Sequence, residues 1–325
     1  MSERISLDKC CEILKNLDNV LILTHKSPDG DTIGSAYGLM GIFKLMGKKA
    51  RVICSDAIPE KYGYFTKEFS EEDFPIENII SADVADTKLL GEKTEMYADK
   101  VVLAIDHHRT HMDFAKNIYV DAAAPATAEI IYTISEKLGV KLDVKSANAL
   151  FTGLCTDTGG FKFDSVTPYT HIVAAQLMKM GAESAKINKL LFNTRSKGKL
   201  AMETKVLNGL KFYFDNTCAL ATVFLKDMEE TGVKNEDLEG IASIPATIEG
   251  VEVAVTLKEK EDGFKVSMRS NEYVDVSKIC SSLGGGGHIR ASGCFIAGNY
   301  EEAAAKIMKS IEENAGDLLY QHSKK

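Results

Sequence analysis

His25-Lys26-Ser27-Pro28-Asp29-Gly30-Asp31 is the stretch on which the reading of this chain turns. It follows the apolar run Val20-Leu21-Ile22-Leu23-Thr24, which has the texture of a strand buried on both faces of a parallel sheet. Pro28 and Gly30 turn the chain out of that strand into an irregular loop. From Thr32 to Met46, residues Ile33, Ala36, Leu39, Met40 and Phe43 recur at helical spacing. One imidazole and two carboxylates thus stand where a strand ends and a helix begins, the usual place for ligands in open α/β sheets. Imidazole with carboxylate oxygen suits a divalent ion such as Mn²⁺, Mg²⁺ or Zn²⁺. The alternative is a solvated loop in which Asp31 only caps the helix.

A second cluster strengthens the metal reading. Asp106-His107-His108 ends the apolar run Val101–Ile105 just as His25 ends the first. Of seven histidines, these three fall directly after strands beside aspartates. Between the two clusters, 50–54 reads as a strand, 57–77 as loop with a short helix, and 78–82 as a strand handing over to Asp83. Asp86 is close by, but the strand-end position favours Asp83; the competing role for Asp83 is an N-cap before Thr87–Leu90. In a parallel sheet the strand ends share one edge, so His25, Asp83 and Asp106 converge.

Further on, Ile130, Ile131, Ile134 and Leu138 give a helix over 124–138 its apolar face. A buried helix over 147–154 delivers Cys155-Thr156-Asp157-Thr158-Gly159-Gly160-Phe161. A carboxylate behind Leu150, Phe151 and Leu154 must be paired, hydrogen-bonded or metal-bound. A helix end at Gly159 is the alternative for this turn. A helix over 168–180 ends at Gly181, and 184–210 is helix-compatible throughout.

Beyond Lys211 the texture changes. Residues 218–225, 251–258 and 264–268 alternate in the β manner with helical segments between. The fold class is therefore α/β: a mainly parallel N-terminal sheet with flanking helices, a helical connector, and a smaller C-terminal α/β domain. The latter holds Arg269 and the run Gly284-Gly285-Gly286-Gly287-His288 after a helix over 274–283. A helix end needs one glycine, not four, so backbone lying flat against an anionic ligand explains the run, with a hinge as the other reading. Arg269 and His288 supply the donors such a ligand wants. The run is neither GxGxxG nor GxxxxGK[ST].

Composition sets the outer bounds. At 325 residues, 45% hydrophobic and 26% charged, the chain has the make-up of a globular protein with room for two cores. A formal charge of −8 argues against a footprint on long duplex nucleic acid. No apolar run approaches the ~20 residues of a membrane span, and the first eight residues lack a secretory leader's layout. Seven scattered cysteines without a CxxC pair suit reduced thiols, hence a cytoplasmic location, with Cys10-Cys11 as packing residues.

Taken in order, His25-x-x-Pro28-Asp29-Gly30-Asp31, Asp83, Asp106-His107-His108 and Asp157-Thr158-Gly159 resemble the motifs of the DHH phosphoesterase family. Arg269 with Gly284–His288 resembles its DHH-associated C-terminal domain. The resemblance implies a metal-binding phosphoesterase domain over 1–183, a connector over 184–210 and a substrate domain over 211–325. It implies two divalent ions, Mn²⁺ before others: His25 and Asp29 on one, Asp31, His107 and Asp157 on the other, and Asp83 between them. His108 would face the scissile phosphate and Asp106 would orient the histidines. Arg269, Gly284, Gly285, Gly286, Gly287 and His288 would grip the substrate. The two-domain size resembles the nano-RNase/pAp-phosphatase branch, whose substrates are short single-stranded RNA, dinucleotides and adenosine 3′,5′-bisphosphate. Hydrolysis of cyclic di-AMP or its linear product pApA is the close alternative, and a catalytically silent nucleotide-binding regulator the more distant one. A homodimer is implied by the resemblance alone. Two features depart from the pattern: Gly160 stands where some relatives carry a basic residue, and His111 has no counterpart and is expected at the surface.

Overall fold

Val20 and Ile22 of the first apolar run enter one core while Leu21 and Leu23 enter a second on the opposite face, which is why the run shows no alternation. The computed structural model describes residues 2–322 apart from 71, 235–237 and 239. The chain divides into two compact units, Met1–Thr194 and Arg195–Lys325.

The first unit runs β1 (Glu3–Arg4), α1 (Leu7–Asn16), β2 (Val20–Leu23), α2 (Gly30–Leu45), β3 (Ala50–Ile53), α3 (Gly63–Thr66), β4 (Asn78–Ala82), β5 (Val101–Asp106) and β6 (Asn117–Val120). Four helices follow: α4 (Thr127–Leu138), α5 (Val144–Asp157), α6 (Pro168–Lys179) and α7 (Ser184–Phe192). Its six-stranded sheet has the order β1-β6-β5-β4-β2-β3, every pair parallel. Strand β4 therefore lies between β2 and β5, and three adjacent strands end at one edge with His25, Asp83 and Asp106. Strands β1 and β6 are additions to the expected set; each is short and carries a weak pattern of its own.

Helix α2 is buried on every side from Gly30 to Phe43, as a helix apolar all round must be. Its glycines let it lie backbone to backbone on α5. A Cβ on Gly34 would stand 2.4 Å from the Ala149 carbonyl oxygen, and one on Gly153 of α5 would stand 2.8 Å from Asp31 Oδ1. This close approach sets Asp31, in the first turn of α2, one helical turn from Asp157 at the end of α5. The cap of α2 is Asp29, whose side chain accepts from the N–H groups of Asp31 and Thr32, so Asp31 is free of that role.

The stretch expected as a connector over 184–210 holds two helices, α7 in the first unit and α8 (Lys197–Asn208) in the second. The second unit continues with β7 (Lys211–Tyr213), β8 (Cys218–Val223), α9 (Leu225–Thr231), β9 (Val253–Lys260), β10 (Gly263–Ser270), α10 (Val276–Ser282), β11 (Gly286–His288), β12 (Ala291–Ala297) and α11 (Tyr300–His322). Its sheet order is β11-β12-β10-β9-β8-β7; β8 and β9 pair parallel and the neighbours named here otherwise pair antiparallel. The glycine run supplies the edge strand β11 rather than a hinge. Gly284 has φ +77°, while a Cβ on Gly285 or Gly287 would strike the backbone of β12. Gly284 and Gly286 have open space at the Cβ position, but Gly284 needs its positive φ, so three of the four glycines answer to the fold itself.

Gly34→Val should destabilise the protein by ~1–3 kcal/mol, the scale of overpacking a tight core, read as a lower urea midpoint. An unchanged midpoint would contradict the close α2–α5 packing.

Candidate metal centre

Each side chain of the strand-end cluster is held by a specific local device. After β2, the His25 Nδ1 donates to the Lys26 carbonyl at 2.8 Å, which leaves Nε2 as the free nitrogen. That Nε2 lies 3.6 Å from Asp29 Oδ1 and 3.7 Å from Asp83 Oδ2. Asp83 follows β4 at φ +61° with its N–H on the Ile105 carbonyl, so its left-handed backbone is pinned by the neighbouring strand. Asp106 ends β5, and its Oδ1 accepts from the His107 N–H, the His108 N–H and His108 Nδ1 at 2.7, 3.2 and 2.7 Å. His107 is turned the other way, with Nδ1 on the Ala124 carbonyl at 3.2 Å and Nε2 3.3 Å from Asp157 Oδ2. Both rings that face the cluster through Nε2 have their tautomer set by a carbonyl, as ligating histidines do.

Asp31 is held by α4. That helix begins at Ala126, which has no capping side chain; instead Asp31 accepts from the Thr127 and Ala128 N–H groups at 2.6 and 2.9 Å and from Ser35 Oγ at 3.0 Å. A carboxylate at a helix N-terminus gains from the partial positive charge there. Thr127 Oγ1 also donates to Asp83 Oδ1 at 2.9 Å.

The arrangement forms three overlapping sets whose ligand atoms lie within 4.8 Å of one another: His25, Asp29 and Asp83; Asp31, His107 and Asp157; and Asp83, His107 and His108. Electrostatics shows what such a cluster lacks. Burial, then the charges of Asp29, Asp157 and Asp106, pushes Asp83 up to about 7. Burial, then Asp83, does the same for Asp31, to about 7, and burial with Asp31 lifts Asp157 to about 6. Burial works against a charge on His25 and His107, yet the facing carboxylates outweigh it and raise them to about 9 and about 10. Buried carboxylates that crowd one another call for positive charge. The His107 Nε2 is buried without a hydrogen bond. An orphaned imidazole nitrogen among carboxylate oxygens is a donor set that fits divalent cations.

Residues 19–154 match the DHH family, N-terminal domain, and residues 216–317 match the DHHA1 domain. The bifunctional oligoribonuclease and PAP phosphatase NrnA of Thermus thermophilus is 32% identical over 312 residues, covering 93% of this chain and 92% of that protein. The chain belongs to the DHH family. A second relative, the cyclic-di-AMP phosphodiesterase GdpP of Bacillus subtilis, is 26% identical over 93% of this chain but only 49% of its own length. Among solved structures, an exopolyphosphatase-related protein of Bacteroides fragilis superposes with a TM-score of 0.87 at 26% identity, over 96% of this chain and 97% of that one.

The DHH cluster thus brings His25, Asp29, Asp31, Asp83, His107 and Asp157 together, with His108 and Asp106 beside them. Asp86, set aside in favour of Asp83, instead caps a short 3₁₀ turn over 87–89. His111, expected at the surface, is buried with 6% exposure. The segment after His108 folds back, with the Met112 N–H on the Ala85 carbonyl, and the His111 ring stacks on Phe114 at 5.2 Å. Thr127, Ala128 and Ala124 were absent from the candidate residues. The uncapped start of α4 is the one signal that could have revealed the first two.

In the DHHA1 unit, the β-register places Arg269, Ala291 and His288 in one row across β10, β12 and β11. Arg269 is half-buried and its Nη1 donates to the Met268 carbonyl at 3.1 Å, while His288 is exposed. Gly284–Gly287 lie beside that row.

The raised carboxylates fix how metal affinity varies with pH. Below about pH 6 Asp31, Asp83 and Asp157 hold protons that a cation must displace, and the two histidines stay protonated to higher pH still. The gain in Tm on adding Mn²⁺ to EDTA-treated protein should therefore grow as pH rises from 5.5 to 8.5. A gain that is flat or shrinks over that window would contradict ligation by these groups.

Proposed function

We propose that this chain is a metal-dependent phosphohydrolase that cleaves phosphoester bonds in short oligoribonucleotides and dinucleotides and removes the 3′-phosphate of adenosine 3′,5′-bisphosphate. The observation that carries this reading is the set His25, Asp29 and Asp83 beside the set Asp31, His107 and Asp157, with Asp83 Oδ1 3.7 Å from the His107 Nε2, in a chain aligned almost end to end with a relative named for those two activities. In this reading His25 and Asp29 hold one ion, Asp31, His107 and Asp157 the other, and Asp83 lies between them. Bound there, two divalent cations would lower the pKa of water and neutralise charge on the phosphoryl group.

The protein's own groups do the rest. The His108 Nδ1 donates to Asp106 Oδ1 in a 2.7 Å bond, which leaves Nε2 as the nitrogen that can meet substrate. That hydrogen bond, ahead of the opposing effect of burial, raises the pKa of His108. When protonated, His108 would present an N–H to a phosphoryl oxygen as negative charge gathers on it. Arg269, His288 and the glycine run at 284–287 grip the substrate's terminal phosphate and adjoining nucleotide. Residues 1–183 carry the hydrolytic site, 184–210 connect, and 211–325 carry the grip. Manganese is the resident ion, a homodimer the assembly, and the cytoplasm the compartment, the last supported by seven cysteines that are all free.

Hydrolysis of cyclic di-AMP or pApA is the second reading, favoured by the likeness to GdpP. The chain spans about half of that relative, so the shorter substrates come first. The deciding assay is a panel of pAp, pApA, cyclic di-AMP, RNAs of two to seven nucleotides and pyrophosphate, with Mn²⁺ and with EDTA. Turnover of pAp and of the shortest RNAs that EDTA abolishes is expected. Cleavage of cyclic di-AMP alone would move the protein to the second reading, and no cleavage by the metal-loaded protein would refute catalysis.

A further inference from the structure

The row Arg269–Ala291–His288 is the end of a longer surface. Counting back along the same face, the next row is Ser267–Gly293–Gly286, and the one after is Lys265–Phe295. These positions alternate with Phe264, Val266, Met268, Cys294 and Ile296, which lie in the unit's core, so all of them share the opposite face. Nearer β8, that face is covered, because Ala254 of β9 packs with Ala219, Ala246 and Ile248. Toward β11 it is open: Lys265, Phe295, Gly286 and His288 are exposed and Gly293 is partly so.

The middle row is flat. Two of its three residues are glycines, and the Gly286 Cβ position meets nothing within 4 Å. The far row is not flat. Phe295 stands 45% exposed in mid-strand, directly opposite Lys265, with Lys260 at the neighbouring strand end. Lys260, Lys265, Gly293 and Phe295 line an open hollow of about 500 Å³. Lys258 stands directly opposite Lys265 across the β9–β10 pair. Like charges facing each other across a sheet are destabilising, and burial, then Lys260 and Lys265, lowers the pKa of Lys258. This concentration of positive charge occurs in a chain whose formal net charge is −8.

We infer that the face formed by Gly286, Gly293, Lys265, Lys260 and Phe295 is a track for the nucleotides of a single-stranded oligonucleotide beyond the one gripped at Arg269 and His288. An exposed aromatic ring stacks a base of any identity, and lysines beside it meet the backbone phosphates. The glycine floor lets the chain cross between the two ends without a side chain in its way. Lys265 and Arg269 are four residues apart, roughly 13 Å at ~3.3 Å per residue, so the track serves substrates longer than a dinucleotide. It rests on the reading of this protein as a hydrolase of short oligonucleotides and adds a length-dependent determinant to it.

The test compares the wild-type chain with Phe295→Ala, Phe295→Tyr and Lys265→Gln, each checked for an unchanged melting temperature. With Mn²⁺, the KM for a hexaadenylate should rise about tenfold in Phe295→Ala, one lost base stack, and recover in Phe295→Tyr. Turnover of the dinucleotide pApA should not change. Anisotropy of fluorescein-labelled hexaadenylate in EDTA reads the same surface without hydrolysis. In Lys265→Gln the slope of log K against log salt should fall by about 0.7, the loss of a single phosphate contact. Variants that bind and cleave the hexamer like wild type would overturn the track, and so would equal damage to dimer and hexamer. Competition by poly-L-glutamate as effective as that by unlabelled RNA would overturn the nucleotide assignment. If nothing is hydrolysed by any form while the variants still lose hexamer affinity, the hydrolase reading fails and the track stands.

Discussion

Asp83 is the constraint on which the first unit is built. It is a carboxylate with 2% exposure, facing the charges of Asp29, Asp157 and Asp106. At an effective dielectric near 20, each like pair at 4 Å would cost ~4 kcal/mol, so the cluster persists only because its surroundings are arranged against that repulsion. Thr127 Oγ1 donates to Asp83, two backbone N–H groups of α4 hold Asp31, and two imidazoles stand among the oxygens. Asp83 also sits in a left-handed conformation, a strain of ~1–3 kcal/mol that a residue keeps only where its neighbours over-determine it. Here they do, since β4 is clamped between β2 and β5.

The same crowding explains the close helix packing behind the sheet. Asp31 and Asp157 belong to different helices, and they meet because α2 and α5 touch through glycine rather than through side chains. A methyl group at Gly153 would push against Asp31 itself. Packing and site geometry are thus one problem in this part of the molecule.

Much of this was legible in the sequence, for identifiable reasons. Buried parallel strands are continuous apolar runs, and their ends lie on one edge, so the sequence alone places His25, Asp83 and Asp106 together. Asp31 was expected just before a helix over 32–46 and Asp157 just after one over 147–154; both helices reach further, so Asp31 lies in the first turn of α2 and Asp157 ends α5. What stayed hidden were contacts made by backbone or by short elements. Ala124 contributes only its carbonyl, Ala128 only its N–H, and neither role leaves a side-chain signature. Strands β1 and β6 hold two and four residues, too few to show a period. His111 was misplaced because burial of a loop histidine depends on how the loop folds back, here onto Ala85. The glycine run was only partly legible: Gly284, Gly285 and Gly287 answer to φ and to the closeness of β12, and Gly286 alone is under neither demand.

The second unit follows a different logic. Its sheet buries one face and leaves part of the other to solvent, so chemistry there is spread along rows of alternating residues instead of gathered at strand ends. For the first unit, the central claim is that one buried aspartate is shared by two cations. The direct measurement is anomalous diffraction at the manganese edge from Mn²⁺-soaked crystals. Two peaks are expected, one beside His25 and Asp29 and one beside Asp31, His107 and Asp157, both touching Asp83; a single peak, or peaks away from Asp83, would contradict the shared site.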